Sequence, residues 1–363
     1  MTRPPSGLAP EIARAARELR LAPRRTAKAN RAVVQRAPVA DLALLLLTLA
    51  WGTTFLVVKN VLAGTSVGVF LLVRFAVASA AIALVVLVRR DRATASVLRH
   101  GLLLGLAMFG GFALQTLGLR STTPARSAFL TGLSVILVPF LARFLLRRRI
   151  QSWAWAGVAL AMIGLFALTR PFSDSVAAEV RLGDLLTVGC AVANAFQIIY
   201  TSEWSGRHPL ALLTLVQVGS TLALSVLLLP LEPARLAWTP GFLATALYTG
   251  VVMTAGAAFV MNWAQRHTTA VRAALIYSLE PVAAALFSHF VGGETLSALD
   301  WAGGGLIVLG VVVGEVGAAL SAKAAPLILT RRRSTLEDAP AARQHARRRP
   351  LHPERKAAGR TTT

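Results

Sequence analysis

Long apolar stretches separated by short polar breaks run through most of the chain. A helix needs about 20 mostly apolar residues to cross a hydrocarbon core of roughly 30 Å. Ten stretches meet this requirement: 40–58, 67–88, 101–119, 127–146, 153–169, 182–200, 210–229, 242–264, 271–291 and 301–320. None alternates as a membrane barrel strand does, and ten in succession are not expected of a soluble protein. The pattern predicts an all-α integral membrane protein with ten transmembrane helices.

The charged residues are concentrated at the two ends of the 363-residue chain. Nine of the 38 Lys and Arg residues lie in residues 1–38 and eleven in 321–363. We therefore expect two basic cytoplasmic tails, the second of them disordered, that bind anionic lipid. The net charge of +22 does not indicate nucleic acid as a partner, because the excess flanks an apolar body. The single cysteine, Cys190, excludes a disulfide framework and a cysteine-based metal site.

The basic residues between the spans predict the orientation. With the N-terminus inside, 29 of the 38 basic residues face the cytoplasm and five face the other side. Cytoplasmic loops carry such an excess of Lys and Arg. Both termini are predicted to be cytoplasmic, in a multi-pass protein of the plasma membrane.

An internal repeat divides the apolar body. An offset of 146 residues aligns the following segments without a gap: Thr122, Thr123 and Arg126 with Thr268, Thr269 and Arg272, and 155–157 with 301–303. At an offset of 143, Asp41 aligns with Asp184. We predict two five-helix repeats, 39–170 and 182–320. Because five is odd, the second repeat enters the membrane from the opposite side, and inverted repeats are a recurring architecture of secondary transporters.

Short motifs in this order resemble the EamA-type members of the drug/metabolite transporter superfamily. They are Trp51-Gly52-Thr53-Thr54-Phe55 running to Lys59, Arg74-Phe75, residues 125–130 ending at Pro139, and Ser278-Leu279-Glu280-Pro281 followed by Gly293-Glu294. The resemblance implies a ten-helix transporter of small metabolites. Two features depart from it. Arg147-Arg148 stands where the family has an acidic pair, and the span 40–58 lacks the acid with which smaller multidrug relatives exchange protons.

Glu280 is the sharpest candidate for a functional group. It lies nine residues past Val271, about 13 Å along a helix, and so close to the membrane midplane. An ionisable group at that depth is a functional hypothesis by default; the alternative is a structural hydrogen-bond anchor. Pro281 removes a backbone hydrogen bond and predicts a kink. Pro139 lies at a similar depth in the fourth span and predicts a second kink.

The remaining candidates are polar or aromatic residues inside the spans. Arg74 could bind a substrate carboxylate or serve as a counter-charge, or it could be an interfacial anchor. Six others could line a pocket or join helices: Trp51, Gln115, Asn194, Gln197, Asn262 and Tyr277.

These features favour a secondary-active transporter that exports small metabolites such as amino acids or amines by alternating access. Proton coupling at Glu280 would need no cofactor and no metal, and the protein would act as a monomer or homodimer. The sequence contains no His-Glu-x-x-His motif and no Gly-rich phosphate loop, so an enzyme is not indicated. A lipid-intermediate flippase of the same superfamily and a non-transporting sensor or scaffold are the alternatives.

The predicted orientation can be tested by cysteine labelling. In a Cys190→Ala background, a cysteine at Arg147 is expected to be protected from an impermeant maleimide in intact cells and labelled in inverted vesicles. Rapid labelling in intact cells would reverse the orientation.

Overall fold

A computed structural model describes residues 27–122, 124–148, 150–169, 178–291, 293 and 295–317. The side chains of 27–37, 56, 124–126, 169, 178–181 and 288 are outside this description. The chain divides into two units, residues 1–314 and 315–363. Of the second unit the structure describes residues 315–317. The expectations for tail residues 1–26 and 318–363 lie outside the described residues.

Every regular element in the described part of the chain is a helix. The α-helices are α1 (Ala27–Gly52), α2 (Thr54–Leu62), α3 (Val67–Arg89), α4 (Ala95–Ser121), α5 (Pro124–Gly132), α6 (Ser134–Leu145), α7 (Ser152–Thr169), α8 (Ala178–Trp204), α9 (Leu210–Ser225), α10 (Pro240–Leu247), α11 (Ala257–Ala264), α12 (Ala270–Tyr277), α13 (Glu280–Phe290) and α14 (Ala298–Gly317). A π-helix over Tyr248–Gly256 joins α10 to α11, and a 3₁₀-helix over Val226–Leu231 follows α9.

Several predicted spans consist of two helices placed end to end. Nine helical runs in the described residues are long and apolar enough to cross a membrane: Pro38–Leu62, Val67–Arg89, Ala95–Ser121, Ser127–Leu145, Leu182–Arg207, Leu210–Leu231, Pro240–Ala264, Ala270–Phe287 and Ala298–Gly317. The predicted span 153–169 corresponds to a shorter apolar helix, Ser152–Leu168. The prediction of an all-helical membrane protein is confirmed, whereas ten crossings and the orientation of the termini stay predictions.

Side-chain contacts show which helix ends lie together. On one side Asp41 binds Arg272, Arg148 binds Glu203, and Arg266 donates to the Ser205 carbonyl; we call this the Asp41 side. On the other, the Asp184 side, Thr122 donates to Asp184 over 2.8 Å and Arg120 pairs with Glu232, which also accepts from the Val67 amide. Helix α8 runs from Asp184 to the Asp41 side, so the aligned residues Asp41 and Asp184 lie at opposite ends of the bundle.

Glycines bring the last helices of the two repeats into backbone contact. A Cβ at Gly157 would lie 2.6 Å from the Gly310 carbonyl oxygen, and one at Gly164 would lie 2.5 Å from that of Gly303. The offset of 146 relates Gly157 to Gly303 and Gly164 to Gly310. Helices α7 and α14 therefore cross symmetrically, and the axis that relates the two repeats to each other passes between them. Small residues allow such close approach in membranes, where packing rather than the hydrophobic effect joins helices.

Helices α4 and α8 form a second close contact between the repeats. Near the Asp184 side, a Cβ at Gly183 would lie 2.8 Å from the Gly118 carbonyl oxygen. At the Asp41 side the His100 ring stacks on Trp204, with 4.3 Å between centroids, and its Nδ1 lies 2.7 Å from Nε2 of His208. The two helices thus stay in contact from one side of the bundle to the other.

The crossing of α7 and α14 predicts a difference between two neighbouring glycines. A Cβ at Gly303 would lie 2.6 Å from the Leu168 amide nitrogen, whereas nothing lies within 4 Å of a Cβ at Gly305. Gly303→Ala should therefore destabilise the protein by about 1–3 kcal/mol, the usual cost of overpacking. Gly305→Ala should be neutral or slightly stabilising. Thermal unfolding in detergent compares the two, and equal melting temperatures would contradict the proposed crossing.

Candidate functional site

The fourth and ninth predicted spans are each interrupted near their middle. Helix α5 ends at Gly132 and α6 begins at Ser134, and α12 ends at Tyr277 and α13 begins at Glu280. The offset of 146 aligns Leu133 with Leu279, so the two repeats break at matching positions. Pro281 lies in the first turn of α13, next to its break. Pro139 lies inside α6, six residues past Leu133.

The backbone at each break has a tighter hydrogen-bond pattern than an α-helix. The Leu279 amide donates to the Ile276 carbonyl over 3.1 Å, and the Leu133 amide donates to Leu130 over 3.3 Å. Pro281 lacks an N–H and cannot donate to the carbonyl four residues earlier. Helix ends leave backbone groups without a partner in the same helix, so each break places polar backbone inside an apolar span.

Both breaks face one cavity, which lies between the two repeats. The volume of this cavity that is accessible to water is about 110 Å³. Since one water needs roughly 10–15 Å³, the cavity has room for several water molecules. Seven of the eight candidates line the cavity: Trp51, Arg74, Gln115, Asn194, Gln197, Tyr277 and Glu280. Pro281 also contributes to the wall. The folded chain thus brings together residues as far apart in sequence as Trp51 and Pro281.

Glu280 is the acidic residue of this wall. Its side chain is partly exposed to the cavity and occupies the first turn of α13, where the helix dipole favours negative charge. Among the described residues, none forms an ion pair with Glu280 and none donates a hydrogen bond to its carboxylate. The carboxylate is therefore available to a ligand or a proton from the cavity.

Arg74 is the basic residue of the wall, and it is only 4% exposed. Its Nε donates to Thr254 Oγ1 over 2.7 Å, Nη2 donates to the Met253 carbonyl over 3.4 Å, and Cζ lies 4.6 Å from the Phe112 ring centroid. A guanidinium has five N–H donors, so these two bonds leave three. In the described part of the chain no carboxylate lies within 4.0 Å of Arg74, and Glu280 is thus not its ion-pair partner.

The π-helix over Tyr248–Gly256 supplies both acceptors of Arg74. Because a π-helix displaces the regular hydrogen bonds, such segments occur frequently at functional sites. The Met253 carbonyl also accepts from Trp51 Nε1 over 3.4 Å, and the Tyr248 hydroxyl lies 2.6 Å from Thr53 Oγ1, between α1 and α2. Met253 and Thr254 are not among the candidates predicted from the sequence, because a π-helix has no distinct sequence signal.

The aromatic and amide candidates form the rest of the polar wall. The rings of Trp51 and Tyr277 lie 5.5 Å apart, and the Tyr277 hydroxyl accepts from Gln265 Nε2 over 2.9 Å. Gln115 Nε2 donates to Thr131 Oγ1 over 3.2 Å, and Asn194 Nδ2 donates to Cys190 Sγ over 3.4 Å. Gln197 Nε2 lies 4.0 Å from Met261 Sδ. These partners hold the side chains in place around the cavity.

Asn262 lies away from the cavity. It is fully buried, and its Nδ2 donates to Thr214 Oγ1 over 3.0 Å and to Gln217 Oε1 over 2.8 Å. These bonds join α11 to α9. Interhelical amides commonly act in this way. Asn262 thus joins helices, which is the alternative that the sequence leaves open for this residue.

Much of the remaining wall is apolar and adaptable. Three methionines contribute to it, Met108, Met253 and Met261, together with Phe55 and Phe112. Methionine side chains are flexible and suit ligands of varied shape. Among the described residues, no group of three or more His, Cys, Asp or Glu is arranged to hold a metal ion. The arrangement can accept a small molecule that has an apolar part and charged groups.

The EamA-like transporter family matches the chain twice, over residues 38–170 and 181–314. The chain belongs to this family, and the resemblance noted in the motifs is confirmed. The two matched ranges overlap the predicted repeats, 39–170 and 182–320. Family membership makes the protein a membrane transporter by class.

Two similar proteins are named as transporters, and one solved structure has a similar fold. The chain is 31% identical to an uncharacterized transporter of Archaeoglobus fulgidus over 274 residues, 76% of this chain and 85% of the relative. It is 30% identical to the uncharacterized transporter YwfM of Bacillus subtilis, of which it spans 61%. A crystal structure with 22% identity superposes with a TM-score of 0.64 over 77% of this chain and 96% of the other. That likeness shows a shared fold.

The contacts of Arg74 predict that lysine cannot replace it. Lysine keeps the charge but lacks the planar fork that reaches Thr254 and Met253 while stacking on Phe112. Arg74→Lys should lower stability by about 1–3 kcal/mol, as expected for lost hydrogen bonds of a charged group, and impair transport. Arg143→Lys, at an exposed position near the end of α6, is the matched control. Thermal unfolding and transport assays on both variants test this, and equal behaviour would show that Arg74 supplies charge alone.

Proposed function

We propose that this protein is a proton-coupled secondary transporter of small zwitterionic or amine metabolites. The observation that carries the proposal is one cavity between two repeats with a carboxylate and a guanidinium that are not paired with each other. Membership of the EamA-like transporter family supports transport. The substrate class rests on the chemistry of the cavity.

The two charged groups would recognise opposite ends of a zwitterion. Glu280 would bind an ammonium group, and the free N–H groups of Arg74 would bind a carboxylate. A fork of N–H donors matches carboxylate geometry. Trp51, Tyr277 and the methionines would contact the apolar part of the substrate, and a ring face also attracts an organic cation.

Coupling would follow from competition for one carboxylate. A proton and an ammonium group cannot both occupy Glu280, so loading one releases the other. If the cavity opens alternately to the two sides, a proton gradient then drives substrate movement in the opposite direction. We propose that export across the plasma membrane is the physiological direction. The excess of basic residues on the Asp41 side supports a cytoplasmic position for that side and for both termini.

The role of Glu280 can be tested in proteoliposomes with and without an imposed pH gradient. The uptake of a panel of radiolabelled amino acids and monoamines identifies a transported probe. For that probe the gradient should accelerate wild-type transport, whereas transport by Glu280→Gln should have the same rate with and without the gradient.

Asp91→Asn is the matched control. It removes a carboxylate in the short connection between α3 and α4 on the Asp41 side and should respond to the gradient as the wild type does. An equal response of Glu280→Gln and the wild type would exclude Glu280 as the coupling group.

A further inference from the structure

Helix α12 separates the cavity from the Asp41 side. Tyr277, at one end of this eight-residue helix, lines the cavity, and Arg272 lies near the other end. The two residues are five positions apart, which corresponds to about 7.5 Å along the helix axis. A single short helix therefore connects the floor of the cavity with the surface of the bundle.

The cavity end of α12 is a natural hinge. The break at Ser278–Leu279 separates it from α13, and Pro281 leaves the Tyr277 carbonyl without its regular helical donor. Hinges are commonly a few residues at element ends that absorb changes in backbone angles. Helix α12 can thus tilt while α13, which carries Glu280, stays in place.

The apolar packing of α12 differs along its length. Its buried residues towards the surface are Ala270, Ala273 and Ala274, and alanine buries little apolar area compared with larger side chains, whereas Leu275 and Ile276, next to the break, are large and buried. Tyr277 provides a polar contact through Gln265, whose Oε1 accepts from Ser202 Oγ over 3.0 Å. Large apolar side chains therefore hold α12 beside the break, and the surface end of α12 depends more on its polar contacts.

The surface end of α12 is tied to the other repeat. Arg272 Nη2 lies 2.6 Å from Asp41 Oδ2 of α1, and both side chains are partly buried, at 28% and 17% exposure. This ion pair crosses the boundary between the repeats at the point where a substrate would pass to the Asp41 side. Trp51, also from α1, contacts Tyr277 at the other end of α12. Helix α1 thus holds both ends of α12.

The second half-helix has a related contact on the opposite side. Helix α5 aligns with α12 through the offset of 146, and it ends at the matching break. Asp184, the counterpart of Asp41, accepts a hydrogen bond from Thr122, two residues before the start of α5. In each repeat, an aspartate at the beginning of the first helix therefore contacts the entry to the half-helix of the other repeat.

We propose that the Arg272–Asp41 ion pair is a latch that keeps α12 closed over the Asp41 side of the cavity. Opening the latch lets α12 pivot at Ser278–Leu279 and exposes the cavity to that side. Arg272 and Asp41 are positioning residues, since neither lines the cavity. The inference deepens the proposed function, because alternating access requires a barrier that opens on each side.

The test measures access to the cavity without any substrate. In a Cys190→Ala background, Met261→Cys places a thiol in the cavity wall three residues before the end of α11. Its reaction with an impermeant maleimide is timed in right-side-out and inverted vesicles. A separate Arg147→Cys variant identifies the vesicles that expose the Asp41 side.

Loss of the latch should increase labelling from the Asp41 side. Adding Asp41→Asn or Arg272→Gln is expected to accelerate it about two- to five-fold, the range for losing a partly exposed ion pair. The exchanged pair, Asp41→Arg with Arg272→Asp, should restore slow labelling, and this recovery would show that the single variants act through the lost pair.

The Arg120–Glu232 ion pair provides the matched control. It also joins the two repeats, but on the Asp184 side. Arg120→Gln should leave labelling from the Asp41 side unchanged.

Two results would overturn the latch: unchanged labelling in Asp41→Asn and Arg272→Gln, or an equal acceleration in Arg120→Gln. The assay needs neither a substrate nor a pH gradient. Its outcome is therefore independent of whether Glu280 couples transport to protons, and failure of one proposal can be distinguished from failure of the other.

Discussion

A hydrocarbon interior provides no hydrogen-bond partner, so backbone outside a regular helix can exist there only where protein or a water-filled cavity satisfies it. The breaks at Leu133 and at Ser278–Leu279 meet this condition together, because residues beside both of them line the same cavity. The two helix breaks therefore explain why a polar cavity lies at this position. Two interrupted helices, one from each repeat, need a shared polar space, and Glu280 at the start of α13 makes that space charged.

Much of this arrangement was accessible from the sequence because duplication preserves spacing. The offset of 146 pairs α5 with α12 in the sequence alone, and helix geometry predicts that Glu280 lies close to the membrane midplane. The position of the first break did not follow. Proline is the visible signal for a kink, and Pro139 stands six residues away from Leu133, inside continuous helix. A break without proline depends on neighbouring helices, which a single sequence does not show.

Arg74 and Asn262 illustrate the same limit for side chains. Both are polar residues inside apolar spans, and the sequence leaves two interpretations for each. Arg74 could contact a ligand or anchor the helix at the interface, and Asn262 could line a pocket or join helices. The structure separates them by their partners: Asn262 donates its amide hydrogens to Thr214 and Gln217, whereas Arg74 retains donors that face the cavity. The partners of Arg74 come from the π-helix over Tyr248–Gly256. Depth can be predicted from hydropathy, but satisfaction of hydrogen bonds requires the fold.

The contacts between the repeats differ in a way that suits alternating access. Where α7 crosses α14, backbone lies against backbone at Gly157 and Gly310, and a side chain at either position would collide with the other helix. Between α1 and α12 a partly exposed ion pair and an aromatic pair lie beside a buried apolar cluster that includes Leu44 and Ile276. Under the proposed alternating access, the contact between α7 and α14 would serve as the fixed axis, and the molecule would change shape at its half-helices. Competition at Glu280 could then become transport, because the same carboxylate would meet the solution on each side in turn.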